Sequence, residues 1–209
     1  MNKKEIWEKS KHVWKIATEA LRELPKTIDK SDLVNCVKVI ADCKGRIITT
    51  GVGTSAMAAK KIAHSLSCIE RPSFFLSPAD AVHGALGSIQ SGDIAILISK
   101  GGNTSEIINL IPSLKTKKIY IIGVTENNDS TLAKNSDIFL KVKVNREADE
   151  FNMLATTSIM AVIAVFDAIC ISLISYTGYT KKKFSIIHPG GAVGKRLSKE
   201  TDNSGLKND

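Results

Sequence analysis

The sequence predicts a doubly wound α/β domain, a five-stranded parallel sheet in the common order 2-1-3-4-5 preceded by N-terminal helices. Three observations predict it. Five short apolar runs rich in β-branched and aromatic residues, RIITTG (46–51), SFFLS (73–77), DIAILIS (93–99), KIYIIGVT (118–125) and DIFLKV (137–142), read as strands buried on both faces. Helical patterns alternate with them at 55–68, 79–85, 104–115 and 130–134, as the crossovers of a parallel sheet require. The two loops richest in glycine and hydroxyl side chains, GVGTSA (51–56) and SKGGNTSE (99–106), follow strands one and three, where the strand order reverses.

In chain order, apolar residues at helical spacing from Lys4 to Leu24 (Ile6, Val13, Ile16, Ala17, Ala20, Leu21, Leu24) predict a long amphipathic helix ended by Pro25. A second helix follows Ser31, whose hydroxyl can cap it, with Leu33, Val34, Val37, Ile40 and Ala41 on one face. Residues 1–45 therefore read as a helical segment packing on a domain that spans 46–198. A polar tail, 199–209, is expected to be disordered. Residues 154–176, LATTSIMAVIAVFDAICISLISY, form the one candidate membrane span. Asp167 near its middle and the interrupting Thr156, Thr157, Ser158, Ser172 and Ser175 predict instead a helix buried on nearly all sides, in the domain or at a subunit contact.

At 209 residues the chain suits one domain burying roughly 70% of its unfolded surface. A hydrophobic content of 43% with 24% charged residues is that of a soluble globular protein, with no membrane partner expected. The net charge of +8 is spread over the N-terminal helix, 115–118 and 181–183, without a recognition motif or stacking aromatics. No nucleic-acid partner is expected, and the charge would draw an anionic metabolite. Cys36, Cys43, Cys68 and Cys170 form no CxxC pair, so neither a zinc knuckle nor a disulfide framework is indicated. The basic N-terminus lacks an unbroken apolar core and a small-residue cleavage site, which by default predicts a cytoplasmic protein.

In an open parallel sheet, ligands bind beyond the carboxyl ends of the strands at the switch point. Glycines there let the backbone approach a ligand, and the free amides and dipole of a helix N-terminus favour an anion. Gly53, Thr54 and Ser55 of the first loop, with Ser99, Lys100, Gly102, Asn103, Thr104 and Ser105 of the second, are candidate phosphate contacts. The competing reading is that Ser55 and Thr104 merely cap their helices. GVGTSA also fits the dinucleotide pattern GxGxxA, but strand two ends in Ser77 and Pro78 rather than an acidic residue, and a single phosphate also explains the second loop. His83, Glu147 and His188 each follow an apolar segment and could reach the same face.

These residues carry a resemblance. PADAVHGALG, the loop ending in TSE at 104–106, LIPSLK, KVNREAD and HPGGAVGKRL together resemble the sugar isomerase (SIS) domain of the D-arabinose 5-phosphate isomerase family, without evident gap from about Gly51 to Leu197. The resemblance implies a five-stranded SIS fold of flavodoxin-like order, homotetramers built as dimers of dimers, and active sites shared between subunits. It implies interconversion of ribulose 5-phosphate and arabinose 5-phosphate through an enediol, with no cofactor. It places Ser55, Ser99, Thr104 and Ser105 in phosphate loops. Glu106, Glu147, His83 and His188 fall on functional acidic and histidine positions, His188 being given by a neighbouring subunit. Many members carry a pair of CBS domains afterwards; the sequence ends without them, so regulation through them is expected to be absent.

On this reading Glu147 removes the proton next to the carbonyl, His188 shuttles protons or helps open the ring, and His83 and Glu106 orient the sugar. A metal between His83 and His188 is not required. Two departures bear on the substrate. Thr54 stands where the family usually has lysine, and SKGGNT replaces SNSGES, losing a hydroxyl at Gly101 and gaining a cation at Lys100. Isomerisation of another phosphosugar is therefore an alternative, as is a noncatalytic phosphosugar sensor.

Overall fold

In the computed structural model, which describes residues 1–197, all five strands form. They are β1 (Ile47–Gly51), β2 (Ser73–Phe75), β3 (Ile94–Ile98), β4 (Tyr120–Thr125) and β5 (Ile138–Lys141), and every pairing is parallel, in the order β2-β1-β3-β4-β5. Around them lie α1 (Lys3–Thr27), α2 (Lys30–Asp42), α3 (Thr54–Ser67), α4 (Pro78–Val82), α5 (Ser105–Ile108), α6 (Ile111–Thr116), α7 (Thr131–Asn135), α8 (Thr157–Tyr176) and α9 (Lys181–Ile187). The polar tail expected at 199–209 lies outside the described residues.

The strand alternation builds two apolar layers. Ile94, Ile96 and Ile98 of β3 point to one face, where Ala58, Ala59 and Ile62 of α3 and Val165, Phe166 and Ile169 of α8 cover them. Ala95 and Leu97 point to the other, against Ile107, Leu110, Ile111 and Leu114. Each Ile, Leu, Val or Phe side chain among them, fully buried, stabilises the fold by roughly 1.5–3 kcal/mol. The cost of ordering the chain offsets most of that sum.

Local chemistry corrects several expectations. Pro25 lies inside α1, which continues to Thr27 and closes with the Ile28 N–H on the Leu24 carbonyl at 3.0 Å. A proline one turn from the end removes only one ladder bond. Asp29, not Ser31, caps α2, its carboxylate accepting the Asp32 N–H at 2.9 Å. The helix expected over 104–115 breaks into α5 and α6, because Pro112 has no N–H to continue the ladder. α8 is long and apolar enough to cross a membrane, but its inner face, including Ala161, Val165, Phe166, Ile169 and Leu173, belongs to the core. Within one chain its outer face is open, Ile171 being 65% and Tyr176 56% exposed.

Candidate active site

The first loop brings α3 close over the end of β1. A side chain at Gly51 would place its Cβ 2.8 Å from the backbone of Ser55, so only glycine allows that approach. Gly53 is the N-cap of α3 with φ 57°, and no side chain caps this 14-residue helix. The Ser55 hydroxyl makes no hydrogen bond among the described residues, which removes the reading of Ser55 as a structural cap. Thr54 and Ser55 stand at this uncapped N-terminus, where the helix dipole favours an anion.

The second loop is clamped. Ser99 is buried; its hydroxyl accepts the Gly102 N–H at 3.1 Å and pairs with the Thr104 hydroxyl at 2.8 Å. Those bonds commit Ser99 to holding the loop rather than to meeting a ligand. The Lys100 carbonyl accepts the Thr125 hydroxyl at 2.7 Å and the Glu126 N–H at 3.0 Å, and Asn103 accepts the Thr131 N–H at 2.8 Å. Gly102 has φ 71°, and a Cβ there would fall 2.2 Å from the Ser130 hydroxyl. Thr104 precedes α5 without capping it, and the Ser105 hydroxyl donates to Glu106 at 2.9 Å.

Lys100 thereby projects from a fixed backbone into a cavity of about 40 Å³ at the carboxyl ends of β1, β3, β4 and β5, lined also by Ser55, Thr125, Ala155, Ser158 and Ile159. That volume holds little more than a water molecule, so a larger ligand must lie across its mouth. Larger clefts exist, about 660 Å³ between α1 and residues 146–151 and about 550 Å³ between α2 and α8, but neither touches the two loops.

Behind the cavity lies Glu147, wholly buried. Its Oε1 accepts from Lys100 Nζ at 2.7 Å. Its Oε2 accepts the N–H groups of Thr156, Thr157 and Ser158 at 2.9, 2.8 and 3.1 Å and the Thr156 hydroxyl at 3.3 Å. The carboxylate thus caps the 20-residue α8, whose N-cap Thr156 supplies no side-chain bond to the helix itself. Burial alone would raise this carboxyl, but the bonds from Lys100, Ser158 and Thr156 outweigh it and hold it at about 2. The expectation of a proton-removing base poised near neutrality does not describe Glu147 in the ligand-free chain, because a carboxylate so stabilised is a weak proton acceptor.

Of the segment that places Glu147, KVNREAD, which includes Asp149, was singled out in the sequence, but Asn152 was not. Asn152, with φ 57°, accepts the Glu147 N–H at 2.7 Å, and the Asp149 carboxylate accepts from Phe151, Met153 and Leu154. Thr125, Thr156 and Ser158 were likewise missed as neighbours of the cavity. The pattern Thr156-Thr157-Ser158 ahead of an apolar run is a helix-start signal that could have located the last two.

The remaining candidates are not among the residues lining that cavity. His83 terminates α4 and is exposed, and Glu106 is exposed. His188 stacks on Phe184, with ring centroids 3.8 Å apart, and its Nδ1 lies 3.0 Å from the Phe184 carbonyl. A carbonyl only accepts, so Nδ1 carries the hydrogen and a neutral His188 presents Nε2 as the acceptor. Among the described residues no hydrogen bond joins His83, His188 or Glu106 to Lys100 or Glu147. Nor does any group of three or more His, Cys, Asp or Glu side chains gather as metal ligands among them. Tyr179, after α8, donates to the Cys68 carbonyl at 3.5 Å, beyond the far end of α3.

Residues 39–172 match the SIS domain family. The chain belongs to the SIS family. Arabinose 5-phosphate isomerase KpsF of Escherichia coli O6:H1 strain CFT073 is 40% identical over 178 residues, 85% of this chain and 54% of that protein. The chain spans about half the length of the curated relatives it matches. Among solved SIS-like structures, a candidate sugar-phosphate isomerase from Listeria monocytogenes superposes with TM-score 0.90 and 54% identity, covering 91% of this chain and all of that one. An Escherichia coli CFT073 protein solved in complex with arabinose 5-phosphate gives TM-score 0.86 and 33% identity, over 90% of this chain and 100% of that one.

Proposed function

We propose that this SIS chain is a phosphosugar aldose–ketose isomerase that interconverts D-ribulose 5-phosphate and D-arabinose 5-phosphate through an enediol. One observation carries the reading: Ser55 and Lys100, from the two switch-point loops, line one cavity at the carboxyl ends of the strands. The uncapped amides of α3 take the phosphate, whose remote binding supplies orientation to the reacting carbons. The likeness to KpsF and to the protein solved with arabinose 5-phosphate supports the choice of sugar.

Proton transfer is shared between copies. α8 leaves the cavity at Thr157 and runs about 30 Å before ending. Tyr179 is then pinned at the far end of α3, about 20 Å along that helix from Ser55. The nine steps from Tyr179 to His188, most of them in α9, span about 17 Å, against about 20 Å from the end of α3 back to Ser55. A second copy supplying His188 agrees with that path, and the exposed Phe151, Met153 and Leu154 beside the site offer apolar surface that supports a homotetramer. Such an assembly is a freely diffusing cytoplasmic enzyme.

Incubation with ribulose 5-phosphate, followed by 13C NMR of the products, tests the reading. Arabinose 5-phosphate is expected, and an unchanged substrate would remove it. The second reading, isomerisation of a different phosphosugar, is favoured by Thr54 and Lys100. The same assay over a panel of pentulose, hexulose and amino sugar phosphates separates the two.

A further inference from the structure

We propose that Lys100 is a substrate-binding residue parked on Glu147, so that a phosphorylated ligand draws the ammonium onto its phosphate and uncovers Glu147 Oε1, the oxygen that Lys100 holds. The inference rests on the phosphosugar reading and assigns the two residues a coupled role within it.

The pair is asymmetric. Glu147 is wholly buried and cannot move without dismantling the start of α8, whereas the Lys100 side chain is 42% exposed on a flexible four-carbon stem. Lys100 has three N–H donors, and Glu147 is the only hydrogen-bond partner of its ammonium among the described residues. The two carboxylate oxygens are also unlike. Oε2 is saturated by three backbone N–H groups and a hydroxyl, while Oε1 has Lys100 alone. Withdrawing Lys100 leaves the helix cap intact and frees one oxygen.

The competition favours a phosphate. A sugar phosphate near neutrality carries close to two negative charges against one on the carboxylate. Ser55, at the uncapped start of α3, lines the same cavity as Lys100, so an anion held there lies within the swing of the lysine stem. The clamped backbone of residues 99–104 keeps the pivot fixed while the ammonium moves. Once Lys100 leaves, the strongest influence holding the Glu147 carboxyl down is removed, and its affinity for a proton rises when the sugar is in place. A phosphate-bearing ligand thus switches on a proton acceptor that is masked in the free protein.

The test measures affinity for inorganic phosphate and for arabinose 5-phosphate by calorimetry in wild type, Lys100→Met, Glu147→Gln and the double variant. Lys100→Met is expected to weaken both ligands about tenfold or more. Glu147→Gln, which releases Lys100, is expected to bind both several-fold more tightly while turnover falls, and that gain should vanish in the double variant. Wild-type affinity in Lys100→Met, or no gain in Glu147→Gln, overturns the inference. If Glu147→Gln fails to fold, the wild-type Lys100 ammonium 15N resonance, assigned by its absence in Lys100→Met, takes its place; at saturating phosphate it must shift, and a stationary signal overturns the inference. Inorganic phosphate probes Lys100 without the sugar. Lysine-dependent phosphate binding without turnover of any sugar phosphate would defeat the isomerase reading and leave the coupling standing.

Discussion

Lys100 Nζ and Glu147 Oε1 lie 2.7 Å apart, with the Glu147 side chain wholly buried and the Lys100 side chain 42% exposed. The pair joins the loop after β3 to the N-terminus of α8, so one contact ties the candidate phosphate site to the longest core helix but one. Its removal has different consequences from either side.

Glu147→Ala strips the cap from α8 and leaves three backbone N–H groups without their acceptor. Loss of a buried, multiply bonded carboxylate is expected to destabilise the fold by roughly 3–5 kcal/mol. Glu147→Gln keeps an acceptor and should cost less, yet lower turnover about a hundredfold or more. Urea unfolding of both variants beside steady-state rates checks the ordering; equal stabilities for the two would contradict a capping role.

Acid should reveal the same carboxylate. Its folded value, about 2, lies below the ordinary glutamate value of 4.5, so its contribution to stability is complete above about pH 4.5. That contribution is lost as pH falls from there toward 2. Glu147→Gln should flatten the pH dependence of stability in that window and leave it unchanged at pH 6–8. A variant that loses stability in acid as steeply as wild type would show that other groups set the slope.

Ser55 and Ser99 should separate binding from structure. The Ser55 hydroxyl has no hydrogen-bond partner among the described residues, so Ser55→Ala is expected to leave stability within about 0.5 kcal/mol of wild type while weakening sugar phosphate binding severalfold. Ser99→Ala breaks the bonds to Gly102 and Thr104 and should cost roughly 1–2 kcal/mol. Thermal melts and KM values for both variants decide the assignment.

Gly102→Ala meets two obstacles, a positive φ and a Cβ pressed against Ser130. A loss of roughly 1–3 kcal/mol is expected, with turnover falling as the Lys100 pivot loosens. Wild-type stability would mean that the loop relaxes without cost.

A shared site predicts complementation. Glu147→Gln and His188→Ala, each nearly inactive alone, should regain up to about a quarter of wild-type activity when unfolded and refolded together, if each site takes one residue from each copy. No recovery from mixed oligomers would place both residues in one chain.

The strands and their order were legible because β3 and β4 are apolar and buried almost without interruption, as strands of a parallel sheet covered on both faces are. The glycines at 51, 53 and 102 were legible as turns for the same local reason. Pro25 and the split at Pro112 misled or escaped the reading, since one lost backbone bond is decided by neighbours rather than by the proline. Glu147 was found as a residue and misread as an environment. Its setting depends on Asn152 and Asp149 folding residues 147–156 back onto α8, a long-range closure that no periodicity records. His188 was legible as a motif, but its stacking on Phe184 was not.

The central claim is enediol chemistry on a phosphosugar held between Ser55 and Lys100. Ribulose 5-phosphate incubated with the protein in deuterium oxide tests it most directly, read by 1H NMR at carbon 2 of the aldose. The account predicts arabinose 5-phosphate carrying deuterium at that carbon, in wild type and far more slowly in Glu147→Gln. Full turnover with no solvent deuterium at carbon 2, or no aldose at all, would contradict it.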